Sequence, residues 1–238
     1  VLVTLGELST LTGQHERAIQ SFERALELDP DRPEALLGLG RAYHAAGRLE
    51  EAERVLRRAI ERRPDYWGAH NSLGRFLRRV GRYEEALSEF ERVVQLTPDN
   101  ARAWLNLAAQ LFALERFEEA LDACRRSIEI RPRAQSLSTL GSILFYLGRY
   151  HESAVEFERG VALQPTDAWM WGNLGSACRF IPGHADRMTE SLERAVAIAR
   201  ERLERNPRDA HHWGALAGWL SNLGRHGEAM EAVRQALE

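Results

Sequence analysis

The chain has 238 residues, 44% of them hydrophobic, and a formal net charge of −3 at pH 7. That balance supplies no global positive field to draw in nucleic acid or an anionic membrane. All 32 basic residues are arginines, which excludes the phosphate-loop lysine, the kinase lysine and Schiff-base chemistry.

In chain order, the elements come as pairs of amphipathic helices. Prolines mark the ends of the pairs at Pro30, Pro64, Pro98, Pro132, Pro165 and Pro207, in steps of 34, 34, 34, 33 and 42 residues. Leu5-Gly6, Leu39-Gly40, Leu73-Gly74, Leu107-Ala108, Leu140-Gly141, Leu174-Gly175 and Leu216-Ala217 keep nearly the same step. So do the turn residues Gly13, Gly47, Gly81, Glu115, Gly148, Gly183 and Gly224. Three such series define seven repeats: 1–32, 33–66, 67–100, 101–133, 134–167, 168–209 and 210–238.

The first repeat begins midway into a first helix at Val1, so the chain is expected to be a piece of something longer. In the second, Leu36, Leu39, Ala42, Tyr43 and Ala46 fall on one helical face. Gly47 reverses the chain through a left-handed turn, and Leu49–Arg62 presents Ala52, Val55, Leu56, Ala59 and Ile60 in return. Cys124 and Cys178 sit at apolar positions of such patterns and read as buried thiols. The sixth repeat carries eight extra residues, one before Gly183 and seven in 199–205, which predicts a long second helix over 186–205. A protruding end would shift the seventh repeat, change local curvature or offer a docking edge; plain tolerance of the insertion, without a special function, is the favoured reading. In the last repeat Met230, Val233 and Leu237 have no following helix to cover them, so truncation or end-to-end self-association is expected.

Segments such as 101-ARAWLNLAAQLFALERFEEALDACRRSIEIRP-132, with Leu-Gly-like, turn, aromatic-x-Glu-Ala and terminal Pro positions, resemble the tetratricopeptide repeat (TPR). The resemblance covers the whole chain. The first-turn Trp of that family is present as Trp104, Trp171 and Trp213, and its second-helix Ala is replaced by Ser153 and Met188. The resemblance implies an all-α fold, a right-handed α-α superhelix forming a single array over 1–238. First helices would line a concave groove that cradles an extended peptide or a helix of a protein partner.

The groove face of each first helix follows from helical geometry. In repeats two to four it carries Arg41, His44, Asn71, Arg75, Arg78, Arg79, Arg102 and Asn106. Guanidinium groups form paired, charge-assisted hydrogen bonds with carboxylates and phosphates, so an acidic guest is expected there. The alternative is a solvated face neutralised by neighbouring glutamates. In repeats four to six the face turns aromatic and small-polar: Phe112, Ser138, Ser142, Phe145, Tyr146, Trp169, Asn173 and Phe180. An aromatic row is a recognition surface for an apolar anchor, unless the rings pack between repeats. Co-chaperone members of the family hold a C-terminal carboxylate with lysines, and no lysine is present here.

Eight histidines are scattered without a metal-ligand spacing, and the Glu50-Glu51, Glu84-Glu85 and Glu118-Glu119 pairs suit helix N-termini without a general-acid role. No catalytic set, metal site or cofactor is expected. The expected function is a protein–protein interaction scaffold, cytoplasmic, with no nucleic acid and no membrane among its partners. The alternative is a regulatory or targeting arm of a larger bacterial kinase, cyclase or glycosyltransferase. Binding of RNA or DNA through the arginine face is the third reading, and the net charge argues against it.

Overall fold

A computed structural model describes residues 1–237. The chain divides into two compact units, Val1–Arg116 and Phe117–Glu238, with the boundary inside the fourth repeat. The first holds α1 (Leu2–Leu11), α2 (His15–Leu28), α3 (Pro33–Ala45), α4 (Leu49–Arg62), α5 (Trp67–Arg79), α6 (Tyr83–Leu96) and α7 (Ala101–Ala113). The second holds α8 (Phe117–Ile130), α9 (Ala134–Tyr146), α10 (Tyr150–Leu163), α11 (Ala168–Cys178), α12 (Ala185–Arg205), α13 (Ala210–Asn222) and α14 (His226–Leu237). No described helix is long and apolar enough to cross a membrane.

In the first unit each helix packs on the next, and the first helices also touch across repeats, α1 on α3 and α3 on α5. The second unit repeats the plan, with α9 touching α11. In five repeats the pair closes tightly because one large side chain of the second helix, Phe22, Leu56, Phe90, Phe157 or Leu192, rests on a glycine of the first. At Gly141, for instance, an added Cβ would lie 2.8 Å from the ring of Phe157, inside contact distance. Phe22, Phe90 and Phe157 are accordingly among the most buried side chains of the molecule.

The reversals within repeats use left-handed backbone, with φ between 72° and 82° at the six turn glycines. Glu115 takes the same turn at φ 57° despite its side chain, in a conformation that costs an L residue about 1–2 kcal/mol.

In four repeats a side-chain tether joins the first helix to the proline before it. The indole Nε1 groups of Trp104, Trp171 and Trp213 donate to the carbonyls of Pro98, Pro165 and Pro207 at 2.8–2.9 Å. In the third repeat His70 takes that place: its Nε2 donates to Pro64 O at 2.8 Å, while Nδ1 lies 2.7 Å from Glu89 of α6. Helix starts are capped by Asn100, Asp167 and Asp209, whose side chains accept from backbone N–H groups of the first turn.

The long α12 spans Ala185–Arg205, one residue from the expected 186–205. Of the options for its added turns, a protruding end is not what forms. Ala199 and Leu203 are buried in one core cluster with Leu216 and Leu220 of α13, because seven residues keep the apolar stripe in phase. The added turns thus extend the core. Ser153, in place of the family's alanine, is buried and donates from its hydroxyl to Gly141 O at 2.7 Å. Both cysteines are free and buried; the apolar Met230 and Val233 of α14 are exposed.

Candidate functional site

Two clefts open on the first helices of the Val1–Arg116 unit. One, of about 310 Å³, lies between α5 and α7 and is lined by Trp67, Asn71, Arg75 and Arg78 together with Asn100, Arg102 and Asn106. The other, of about 210 Å³, is bounded by Thr10 of α1, Arg41 and His44 of α3, and Ser72, Arg75, Phe76 and Arg79 of α5. Arg75 borders both. The eight arginine, histidine and asparagine residues expected on this face are therefore brought together.

Helical spacing explains the convergence. On α5, residues 67, 71, 75 and 78 or 79 recur at three or four and share a face. Asn71 and Asn106 meet across α5 and α7, where the Asn106 amide donates to Asn71 Oδ1 at 3.0 Å. His44 stands edge-on to Phe76, ring centroids 5.8 Å apart.

Electrostatically the face is under-compensated. Partial burial, followed by repulsion from Arg79, Arg78, Arg102 and Arg41, pulls the Arg75 guanidinium below its ordinary pKa. His44 is lowered as well, first by burial and then by Arg79. Arg41 comes no nearer than 4.0 Å to a carboxylate, that of Glu7. Among the described residues, no ion pair is formed by Arg75, Arg78, Arg79 or Arg102. The expectation of a face neutralised by neighbouring glutamates is met only at Arg41.

The outer helices show the contrast. Arg82 bonds Glu85 and Glu53, both at 2.6 Å, and Arg225 bonds Glu228 at 2.6 Å and Glu193 at 3.1 Å. Arg48 pairs with Glu51, and Arg149 with Glu152. These hydrogen bonds raise the pKa of Arg82, Arg149 and Arg225. The Glu at the start of each such second helix is held by the arginine three residues before it, as well as by the helix N-terminus.

The aromatic residues divide differently from a single row. Phe112 of α7 is half-buried and borders neither cleft. In the Phe117–Glu238 unit, Phe145 packs edge-on to Tyr150 and Phe180 at 5.3 and 5.7 Å, and Tyr150 stacks on Phe180 at 4.6 Å. Tyr146 stacks on Phe117 at 5.8 Å and stays 66% exposed. A separate group forms around Trp169, which stacks on His211 at 4.5 Å and meets Trp219 edge-on at 5.6 Å. Ser142 turns its hydroxyl to its own helix, donating to Ser138 O at 3.0 Å, and Asn173 is half-buried. The rings pack because helix-end aromatics of one repeat reach those of the next.

Sequence reasoning missed Trp67, Asn100, Thr10 and Ser72 as cleft residues, and His211 as the partner of Trp169. Trp67 was available by its place one turn before Asn71, and Thr10 by its equivalence to His44 one repeat later.

Both units are stacks of antiparallel helix pairs, which defines an all-α repeat protein of the solenoid class. Family models described as tetratricopeptide repeat match residues 11–73, 71–134 and 134–167, and the chain belongs to the tetratricopeptide-repeat family. Among solved structures, it is similar to the Cut9–Hcn1 hetero-tetramer of the APC/C, with a TM-score of 0.72 and 19% identity over 99% of this chain and 44% of that one. It is also similar to MamA, with a TM-score of 0.65 and 18% identity over 70% of this chain and 97% of MamA. A third, YrrB, described as a TPR protein with an unusual peptide-binding site, gives 0.63 and 20% identity over 78% of this chain and 96% of its own. No curated protein sequence matches the chain.

Proposed function

We propose that the chain is a protein-interaction scaffold, and that its Val1–Arg116 unit holds an extended acidic segment of a partner against the arginine-lined clefts. The observation that carries this reading is the set Arg75, Arg78, Arg79 and Arg102, which has no ion pair among the described residues and in which Arg75 is held below its ordinary pKa first by partial burial and then by repulsion from its neighbours. A carboxylate entering either cleft relieves that repulsion and gains charge-assisted, bidentate hydrogen bonds. The floor of the smaller cleft is apolar, from Leu56 and Phe76, and suits the methylene stem of a glutamate. In the second unit, the exposed rings of Tyr146 and Trp169 are surfaces for an apolar part of a partner. The similarity to YrrB, a TPR protein with an unusual peptide-binding site, is in keeping with such a use of the fold.

The test is charge reversal. Arg75→Glu together with Arg79→Glu abolishes capture of an acidic peptide or of the native partner, whereas Arg82→Gln on the outer ladder leaves it unchanged. Undiminished binding by the double variant refutes the reading. Nucleic acid is separated by salt: duplex binding through several phosphates would fall by orders of magnitude between low and physiological salt.

A further inference from the structure

We infer, resting on the acidic guest proposed above, that the larger cleft is a site for a phosphomonoester, so that the partner segment is held there by a phosphorylated side chain. Three guanidinium groups line this cleft, Arg75 and Arg78 from α5 and Arg102 from α7. Among the described residues, none of the three makes an ion pair or a guanidinium hydrogen bond. Arg41, which does meet Glu7 at 4.0 Å, borders only the smaller cleft. The neutral polar groups are already spent. The Asn106 amide donates to Asn71 Oδ1 at 3.0 Å, and Asn100 Oδ1 accepts from the backbone N–H groups of Arg102 and Ala103 at 3.0 and 3.4 Å. What this cleft holds out to a guest is therefore chiefly guanidinium charge, which reads a compact anion and not a peptide backbone.

The number of oxygens and charges decides between the anions a partner can bring. A carboxylate carries one charge on two coplanar oxygens, and a single guanidinium fork meets both. In a cleft with three arginines it leaves two without a counter-charge. A phosphomonoester carries about −1.5 to −2 at pH 7 and three terminal oxygens, so each of Arg75, Arg78 and Arg102 finds an acceptor. A phosphodiester keeps one charge and two free oxygens, which sets a nucleic-acid backbone apart from this guest. The cleft is also arranged in advance. The Arg78 guanidinium lies over the ring of buried Phe90, 6.0 Å from its centroid, a contact that orients the fork without neutralising it. Arg75, partly buried and then repelled by its neighbours, sits below its ordinary pKa, and a doubly charged guest offsets that repulsion further than a carboxylate does.

The assay uses the whole chain at fixed ionic strength and three fluorescein-labelled peptides read by anisotropy. They share one sequence of glycine, alanine and two glutamates around a central position, which is serine, glutamate or phosphoserine. The phosphoserine peptide binds about tenfold more tightly than the glutamate one, the increment of one added charge-assisted bond. Arg78→Gln and Arg102→Gln each erase that preference, Arg82→Gln keeps it, and circular dichroism verifies that the variants fold. The preference also shrinks below about pH 6, where the phosphate loses its second charge. Taking the ratio of the two peptides removes the effect of His44, which borders the smaller cleft and faces both alike. Equal affinity of the glutamate and phosphoserine peptides overturns the phosphate site while leaving the acidic guest in place. Failure of all three to bind overturns the acidic guest as well. Inorganic phosphate or oligothymidylate that displaces the phosphoserine peptide at an equal concentration assigns the cleft to the free ion or to nucleic acid, and either overturns a phosphate carried on a partner segment.

Discussion

The same chemical change made at two glycines of the second unit is expected to shift stability in opposite directions. Gly214 lies inside α13 with nothing within 4 Å of where a Cβ would stand, so Gly214→Ala gains helix propensity without a clash. It is expected to stabilise by about 0.5–1 kcal/mol. Gly172 lies inside α11 against the indole of Trp219: an added Cβ would come within 2.8 Å of Cζ2 and closer still to Nε1 and Cε2. Carbon atoms rest at about 3.5–4.0 Å, so the ring must move by more than about 1 Å, and Trp219 is buried on α13 with little room to do so. Overpacking of this kind costs about 1–3 kcal/mol. Subtracting the propensity gain leaves Gly172→Ala destabilised by about 1 kcal/mol, with an upper limit of about 2.5 kcal/mol. Urea titrations followed by tryptophan emission compare the two midpoints. Trp219→Leu, made together with Gly172→Ala, restores part of the loss by opening space, and the double-mutant cycle isolates the contact. If Gly172→Ala raises the midpoint as much as Gly214→Ala, the indole does not rest on Gly172 and the packing of α11 on α13 is misread.

Glu115→Gly, which relieves the left-handed turn at φ 57°, raises the urea midpoint by the equivalent of about 0.5–1 kcal/mol; a lowered midpoint refutes the strain. Tyr43 donates its hydroxyl to Glu23 at 2.7 Å, and Tyr43→Phe costs about 1 kcal/mol in thermal or chemical unfolding. Burial, then Glu23, pushes the Tyr43 phenol from 10.0 up to about 12, so the folded chain keeps its proton longer than the unfolded one. The stability this provides is complete below pH 10 and is lost as the pH rises to about 12, a loss the Phe variant lacks and phenolate absorbance follows. Burial pushes the Cys124 thiol up to about 12 and raises Cys178 as well. Neither reacts with Ellman's reagent until the chain is unfolded, and rapid labelling of the native protein would contradict the core placement.

The repeat register was legible because its markers act locally. A proline stops a helix, a glycine allows a left-handed turn, and both do so whatever surrounds them. The groove arginines were legible for a similar reason: positions on one helix face follow from the residue count alone. What was not legible depends on tertiary neighbours. His70 gives no sign in isolation that it stands where other repeats put tryptophan and bonds the Pro64 carbonyl. The end of α12 reads as a projection until the cluster with Leu216 and Leu220 is seen to take up Ala199 and Leu203. Phe145 and Phe180 fit either an open row or a packed stack by pattern, and the choice is made by their contact with each other and by Tyr150 packing on both.

The arginine–glutamate ladder of the outer helices bears on how the molecule behaves at high concentration. A chain with 35 acidic residues that also offers open guanidinium groups can compete with its own guest. Glu53, Glu85 and Glu228 are each already bonded to arginines of their own surface, and withdrawing one to a neighbouring copy would strand those arginines. The ladder therefore works as insulation at its own positions: it keeps Glu53, Glu85 and Glu228 engaged at home, and under the proposed reading leaves the clefts to a carboxylate that arrives without a partner.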